Sequence, residues 1–255
     1  MRGEQVPLHE DWRGPDAALR RTAGNAATRI CDIDHEQRPP VRPRDAASLI
    51  LHRTRGGRRE VLMGRRPRAA RFMPGVYVFP GGAVEAEDRL VQPASPLSAH
   101  VTELLKVGGR AARARALAVT AVRETFEETG LLLGTRGDAG LPDHPAWGAW
   151  CAQGLAPHLA CLELTGRAIT PARLPIRFHA RFFLADARHA SGKIGGDGEL
   201  EDVAWVALDD AHTLPIADVQ KFFIEHLREL FAARDNAGPR PVFTHRRGAR
   251  YVRYG

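Results

Sequence analysis

VTAVRETFEETGLLL, residues Val119 to Leu133, places three glutamates at positions 124, 127 and 128. That spacing is i, i+3, i+4, so on a helix all three carboxylates share one face. Like charges so placed repel by a few tenths of a kcal/mol per exposed pair. A hard divalent cation that takes carboxylate oxygens is one way to offset the repulsion. Val119, Val122, Phe126 and Leu133 supply an apolar stripe on the other side, by which the helix can dock. Gly130 suits the helix end because it tolerates positive φ. The stretch therefore predicts one long helix over 111–130, docked by one face and acidic on the other.

A solvated acidic face with Arg123 as its ion-pair neighbour is the plainer reading. Five fixed residues in the pattern R-E-x-x-E-E-x-G arise by chance roughly once per thousand to ten thousand chains of this size. A second element decides between the two. Val76-Tyr77-Val78 runs into Phe79-Pro80-Gly81-Gly82, a strand entering a turn whose bare backbone can lie close to a ligand.

Together the two pieces resemble the Nudix box, G-x5-E-x7-R-E-U-x-E-E-x-G-U, where U is a bulky aliphatic residue. Gly82 matches the first glycine, and Arg123, Glu124, Glu127, Glu128, Gly130 and Leu131 match the second half. The chain departs from the pattern in three ways. The first acidic position falls on Asp88 counted from Gly82, or on Glu87 counted from Gly81. The gap to Arg123 is much longer than seven residues, so an insertion over about 89–116 splits the box. Thr125 stands where an aliphatic residue is usual. A split box resembles the acyl-CoA diphosphatase-like branch of the Nudix hydrolase superfamily.

Leu62 to Gly82 is similar to the second motif of that branch, L-L-T-x-R-[SA]-x3-R-x3-G-x3-F-P-G-G, through Leu62, Arg66, Arg71, Gly75, Phe79, Pro80, Gly81 and Gly82. Met63, Gly64 and Pro67 depart from it. Arg66 and Arg71 are candidates to hold phosphates with forked guanidinium donors. Surface solubility charge is the alternative for both.

With 255 residues, 44% hydrophobic and 26% charged, the composition is that of a globular protein able to bury one sizeable core. No run of 18 apolar residues predicts a membrane span. The first residues, MRGEQVPLHEDW, lack the apolar region of a secretory signal, so a cytoplasmic location is expected. Cys31, Cys151 and Cys161 are not at metal spacing and read as packing residues in a reducing compartment. The net charge of +7 is almost wholly arginine. It is spread along the chain without an aromatic-interleaved basic motif, so it gives no sharp nucleic-acid signal; polyanionic small substrates or coding bias explain it equally.

The rest of the chain divides into an arm at 1–43, a domain at 44–237 and a basic tail at 238–255. Within the arm, Asp16 to Arg29 is a candidate helix, and the arm takes a structural or dimer-contact role; a homodimer stays open. Ala46–Leu51 reads as a buried strand, paired through a Gly-Arg turn with Val61–Met63. Leu97–Lys106 has a helical period, stopped at Gly108-Gly109. Asp143–Leu164, with Trp147 and Trp150, reads as helical and packed on the core. Ile176–Ala185 alternates apolar residues with Arg177, His179 and Arg181, the mark of a half-buried strand; His179 reads as a satisfied polar side chain rather than a metal ligand. A polar loop over 186–202 precedes the strand Val203–Leu208. Ala217–Ala233 is an amphipathic helix, and the tail adds an edge strand or stays loose. These elements interleave as a mixed sheet between helices. The resemblance implies the α/β/α Nudix sandwich, with a helical insertion.

What the resemblance implies chemically is hydrolysis of a nucleoside diphosphate linked to another moiety. A diphosphate repels hydroxide, so cations on its oxygens and an activated water are needed. Glu124, Glu127 and Glu128 would hold Mg²⁺ or Mn²⁺, with the Gly81 carbonyl as a further ligand. Glu124, or a loop carboxylate such as Glu199 with Glu201 as second choice, would be the general base. Arg123 would orient the glutamates. Arg66, Arg71, Phe79 and Gly82 would bind the substrate. CoA or an acyl-CoA is the first-choice substrate, giving 3′,5′-ADP and (acyl-)4′-phosphopantetheine. NADH, ADP-ribose or a dinucleoside polyphosphate is the alternative, and a non-catalytic module binding nucleotides or RNA is a third reading.

Overall fold

Arg44–Arg55, β1, alternates small or aliphatic side chains over its middle, and both of its faces are buried: Ala47, Leu49 and Leu51 on one side, Ile50 on the other. A strand apolar on both faces belongs at the centre of a sheet. The structure, a computed structural model, describes residues 41–70, 73–172, 174–233, 238–246 and 249–255, and places β1 there. Gly56 and Gly57 both take positive φ, 56° and 77°, as a two-residue hairpin turn requires. They return the chain antiparallel as β2, Arg58–Arg65.

The remaining strands of the main sheet, in chain order, are β3 (Tyr77–Val78), β4 (Gly81–Ala83), β5 (Glu163–Ile169), β6 (Phe178–Asp186), β7 (Glu201–Ala207), β8 (Pro241–Arg246) and β9 (Ala249–Tyr254). Their order is β7-β2-β1-β6-β5-β8-β9, with β3 on β2 and β4 on β1. The β1–β6 and β5–β8 pairs are parallel and the others antiparallel, a mixed sheet as expected.

Four helices accompany it: α1 (Ala99–Leu104), α2 (Ala111–Thr129), α3 (Pro145–Ala152) and α4 (Asp218–Ala232). One core joins Ala47, Leu49, Leu51 and Leu62 to Leu117, Ala118, Ala121 and Val122 of α2. The other joins Ile50, Val61, Met63 and Leu184 to Phe223, Ile224 and Leu227 of α4, where Phe182 and Phe223 stack with ring centroids 4.0 Å apart. A helix on each face makes the α/β/α sandwich. Each of those large apolar side chains contributes about 1.5–3 kcal/mol by its burial. The segment read as an insertion carries α1, started by a Ser98 side chain that accepts from Val101 N–H.

One sequence expectation is corrected. Asp143–Leu164 is helical only over α3; Leu155–Pro157 pairs with Gly134–Arg136, and β5 begins at Glu163. A register shift between Leu164 and Gly166 breaks the alternation of β5 and hides it from pattern reading. The tail takes the first of its two expected forms: it forms β8 and β9, extends the sheet beyond β5 and supplies its edge strand. Its PVFTH and RYVRY alternations are the two strands of that hairpin. The helix expected over 16–29 lies outside the described residues. No helix among the described residues is long and apolar enough to cross a membrane.

Candidate functional site

α2 runs to Thr129 and ends on Gly130, whose φ of 73° is the left-handed cap that its lack of Cβ permits. The last carbonyls of a helix lack partners within it. Here a loop supplies them: Gly195 N–H donates to Thr129 O and Asp197 N–H to Glu127 O, each at 2.9 Å. A Cβ on Gly196 would collide with Glu128 O. The loop that carries Glu199 is thereby stapled to the end of the acidic helix.

The glycine turn meets the same helix from the sheet side. β4 pairs with β1, setting Gly81 against Ser48 and Gly82 against Ala47. Gly81 N–H donates to Glu128 Oε2 at 2.9 Å. A Cβ on Gly81 would stand 2.5 Å from Ala47 O, and one on Gly82 would stand 2.5 Å from the Glu124 carboxylate carbon. Only bare backbone fits between β1 and the acids. In this conformation Gly81 offers its amide hydrogen to a glutamate, and its carbonyl role in metal binding stays an expectation.

Arg123 is 2% exposed and makes the pairs that hold the acids in place. Its Nε donates to Asp88 Oδ1 at 2.8 Å and its Nη1 to Glu127 Oε2 at 2.6 Å, with Glu124 Oε1 at 3.0 Å. Nη2 reaches Asp88 Oδ2 and Ala83 O. Burial disfavours the guanidinium charge. The hydrogen bond to Asp88 and the charges of Glu124, Asp88 and Glu127 outweigh it, and the group is held above its ordinary range.

Asp88 settles which register the first acidic position follows. It is fully buried, accepts from Thr120 Oγ1 at 2.8 Å and from the Glu85 amide at 2.9 Å, and faces Arg123. Glu87, one residue earlier, is exposed. The count from Gly82 is the one the structure follows. Thr125, in the aliphatic slot, is buried and turns its hydroxyl to Ala121 O at 2.7 Å, so the helix absorbs its polarity.

The carboxylates sit in an environment that resists their ionisation. Burial, then the charges of Glu127 and Glu199 against the pull of Arg123, pushes Glu124 up to about 7. Burial raises Glu127 against the pull of Arg123. Glu128, 3% exposed, is raised well above the carboxylate range by burial and by Glu124, with the Gly81 amide and Arg66 pulling the other way. Glu199 is exposed, yet its charge is felt at both Glu124 and Glu128. Its alternative, Glu201, is tied to Arg65 Nη2 at 2.8 Å.

Among the described residues, no three acids, histidines or cysteines stand ready as a metal-ligand group. Glu127 is turned back to Arg123, leaving Glu124 and Glu128 together against the glycine turn. The donor set nonetheless fits Mg²⁺ or Mn²⁺: hard carboxylate oxygens, buried and mutually repelling, with backbone that approaches closely.

Of the substrate-binding candidates, Arg66 is half-buried and its charge reaches Glu128. Its backbone is clamped by Val76 O at 2.9 Å and Gly75 N–H at 3.0 Å. Arg71 lies outside the described residues. Phe79 is a correction: it is 2% exposed and packs in the core beneath α4, because the strand's apolar face must be covered there. Its side chain shapes the turn from below.

No family model matches the chain. It is 32% identical to a crystal structure of a Nudix hydrolase from Alicyclobacillus acidocaldarius, over 77% of this chain and 94% of that one, with a TM-score of 0.56. It is 29% identical to the NAD-capped RNA hydrolase NudC of Pseudomonas aeruginosa, over 87% of this chain and 59% of that protein. It is 34% identical to the acyl-coenzyme A diphosphatase NUDT19 of Gallus gallus, over 35% of this chain and 32% of that protein. The chain thus spans 59% and 32% of the length of these two curated relatives.

Proposed function

The chain belongs to the Nudix hydrolase family, and on that premise we propose that it hydrolyses the diphosphate linkage of a nucleoside diphosphate derivative with Mg²⁺ or Mn²⁺, CoA or an acyl-CoA being the first-choice substrate. One observation carries the reading. The Gly81 amide on Glu128, at 2.9 Å, supports it by bringing the glycine turn against the acidic helix from 47 residues away in sequence.

Glu124 and Glu128 would hold the divalent ion, with Glu127 available on release from Arg123. The ion would supply charge neutralisation on the diphosphate oxygens and acidify a bound water. The chain's own groups do the remainder. Arg123, fixed by Asp88, orients Glu124 and Glu127. Glu124, or Glu199 on the loop stapled to the helix end, would take a proton from water as it attacks phosphorus. The new P–O bond forms as the bridging P–O bond breaks, and the bridging oxygen leaves on the departing phosphate. Arg66 would hold a phosphate of the substrate with its forked donors.

The greater length matched to the NAD-capped RNA hydrolase, 87% of this chain against 35% for the acyl-coenzyme A diphosphatase, favours a second reading: the same bond cleaved in a nicotinamide dinucleotide. A panel of CoA, acetyl-CoA, NADH, ADP-ribose and dinucleoside polyphosphate, incubated with Mg²⁺ or Mn²⁺ and read by mass spectrometry, separates the readings. The expected products are 3′,5′-ADP and phosphopantetheine. Intact CoA beside consumed NADH moves the proposal to the second substrate. No turnover of any member with either metal leaves a binding module.

A further inference from the structure

Beyond β6, the sheet gathers cations that the described acids do not answer. Arg167 on β5 stands directly opposite Arg181 on β6, and its neighbour on β8, Val242, stands directly opposite Arg253 on β9. Residues in register share a face, so Arg181, Arg167 and Arg253 line one side of adjacent strands. Like charges directly across a ladder destabilise it. Asp45 on β1 serves one end of the row, accepting from Arg181 Nη1 at 2.7 Å and from Arg113 Nε and Nη2 at 2.7 and 2.8 Å.

Arg167 has no such relief. It is 9% exposed, its Nε is buried without a partner, and its guanidinium makes no hydrogen bond or ion pair with any described residue. Burial and the charge of Arg253 both push its guanidinium down. Arginine still stays charged under such pressure, and a half-buried charge without a counter-ion is unfavourable. His179, expected to be a satisfied side chain, has a buried Nε2 without a partner and is pushed down to about 4 by burial, Arg181 and Arg167. It is neutral and brings no charge of its own. Beside this row lies a cavity of about 180 Å³ lined by Ile169, Val242, Thr244, Tyr251 and Arg253, room for several waters or one small oxyanion.

We propose that this face binds a phosphate group, as inorganic phosphate or as a phosphate monoester, between Arg167 and Arg253. Two guanidinium forks match the oxygens of one phosphate, and the anion supplies the charge that Asp45 gives only to Arg181 and Arg113. The site is distinct from the carboxylates. Arg113 marks its near edge in the first turn of α2, about 16 Å along the helix from Glu124.

The test is a thermal-shift and calorimetric titration of the full chain, in chloride buffer with EDTA, using inorganic phosphate, AMP and adenosine. Phosphate and AMP are expected to raise Tm and adenosine to leave it unchanged. Arg253→Gln, at an exposed position, is expected to weaken phosphate roughly tenfold, and Arg167→Leu to abolish the response while raising Tm in phosphate-free buffer. Glu128→Gln is expected to keep the full response. A tighter response to AMP than to phosphate identifies a nucleotide monoester as the ligand; an equal response identifies the free anion. The proposal is overturned if wild type does not respond, if adenosine acts like AMP, or if Arg253→Gln responds like wild type. Should Arg167→Leu fail to fold, Arg253→Gln and Glu128→Gln decide the matter alone.

Discussion

Asp88 and Arg123 lie 35 residues apart in sequence and meet in the interior, Nε to Oδ1 at 2.8 Å, with exposures of 0% and 2%. This pair, with the Gly81 amide on Glu128, closes the interval between the glycine turn and the acidic helix. Loop-closure cost grows only slowly with length, so an insertion bearing α1 is tolerated where both of its ends are pinned. The acidic face is thus tied to the glycine turn by a buried ion pair and a backbone hydrogen bond.

Asp88→Ala should therefore cost more than removing an ordinary surface acid. It leaves Arg123 buried without its main partner, while Thr120 keeps Ala116 O as its acceptor, a loss of about 3–5 kcal/mol. Glu87→Ala, at the exposed neighbouring position, should stay within about 0.5 kcal/mol of wild type. Denaturant melts of the two variants check this. Equal midpoints would show that the register follows neither residue.

Gly82→Ala tests the close approach of backbone to Glu124. Its Cβ would occupy the carboxylate's place, so the side chain must swing away. The expected result is a folded protein with kcat/KM lowered by about a hundredfold, the scale of a 1 Å misplacement at a reacting centre. Gly238→Ala, where a Cβ meets nothing within 4 Å, should leave both activity and melting unchanged. Wild-type turnover in Gly82→Ala would mean that the Glu124 position seen here is not the working one.

The parts of this fold that were legible in sequence are those with an unbroken period. α2 and α4 announce themselves by apolar stripes and, for α2, by Gly130. β1 does so by its apolar run. β5 was not legible, because the bulge at Leu164–Gly166 interrupts its alternation. The tail's strands were legible as pattern but not as partners, since parallel pairing with β5 is a long-range fact. At the site, the acids and the glycine turn were legible from spacing. The choice of Asp88 over Glu87 needed burial, and the core role of Phe79 needed the position of α4. The turning of Glu127 to Arg123 is an (i, i+4) contact that the spacing permits but does not require.

Metal-free stability should fall with rising pH. Glu124 holds its proton up to about 7 in the folded chain, against 4.5 ordinarily. A carboxyl raised on folding contributes stability that is complete below its unfolded pKa and is lost as pH rises through its folded pKa. Glu128 acts in the same direction. In EDTA the chain should therefore lose on the order of 2–3 kcal/mol between about pH 5 and about pH 8. Under the proposed metal role Mg²⁺ would bind the ionised acids, so it should raise Tm more at the higher pH. Glu124→Gln should flatten the profile and reduce the Mg²⁺ effect. Melts in EDTA and in Mg²⁺ across that range check this; a flat wild-type profile would contradict the arrangement of the acids.

Asp45 should produce the opposite slope at acid pH. Burial alone would raise it, but the Arg113 hydrogen bond and the Arg181 charge outweigh burial and lower it to about 2 from 3.8. A carboxyl depressed on folding contributes stability that is complete above its unfolded pKa and is lost as pH falls through its folded pKa. The window is therefore about pH 4 down to about pH 2, well below the one set by Glu124. Asp45→Asn should remove this acid limb. It should also destabilise the protein at neutral pH by about 3 kcal/mol or more, because Arg181, 2% exposed, then joins Arg167 without a carboxylate. If added phosphate restores more of the lost Tm in Asp45→Asn than it adds to wild type, the two arginines draw on one anion. Denaturation of both proteins at neutral and acid pH, with and without phosphate, measures all three effects in one series.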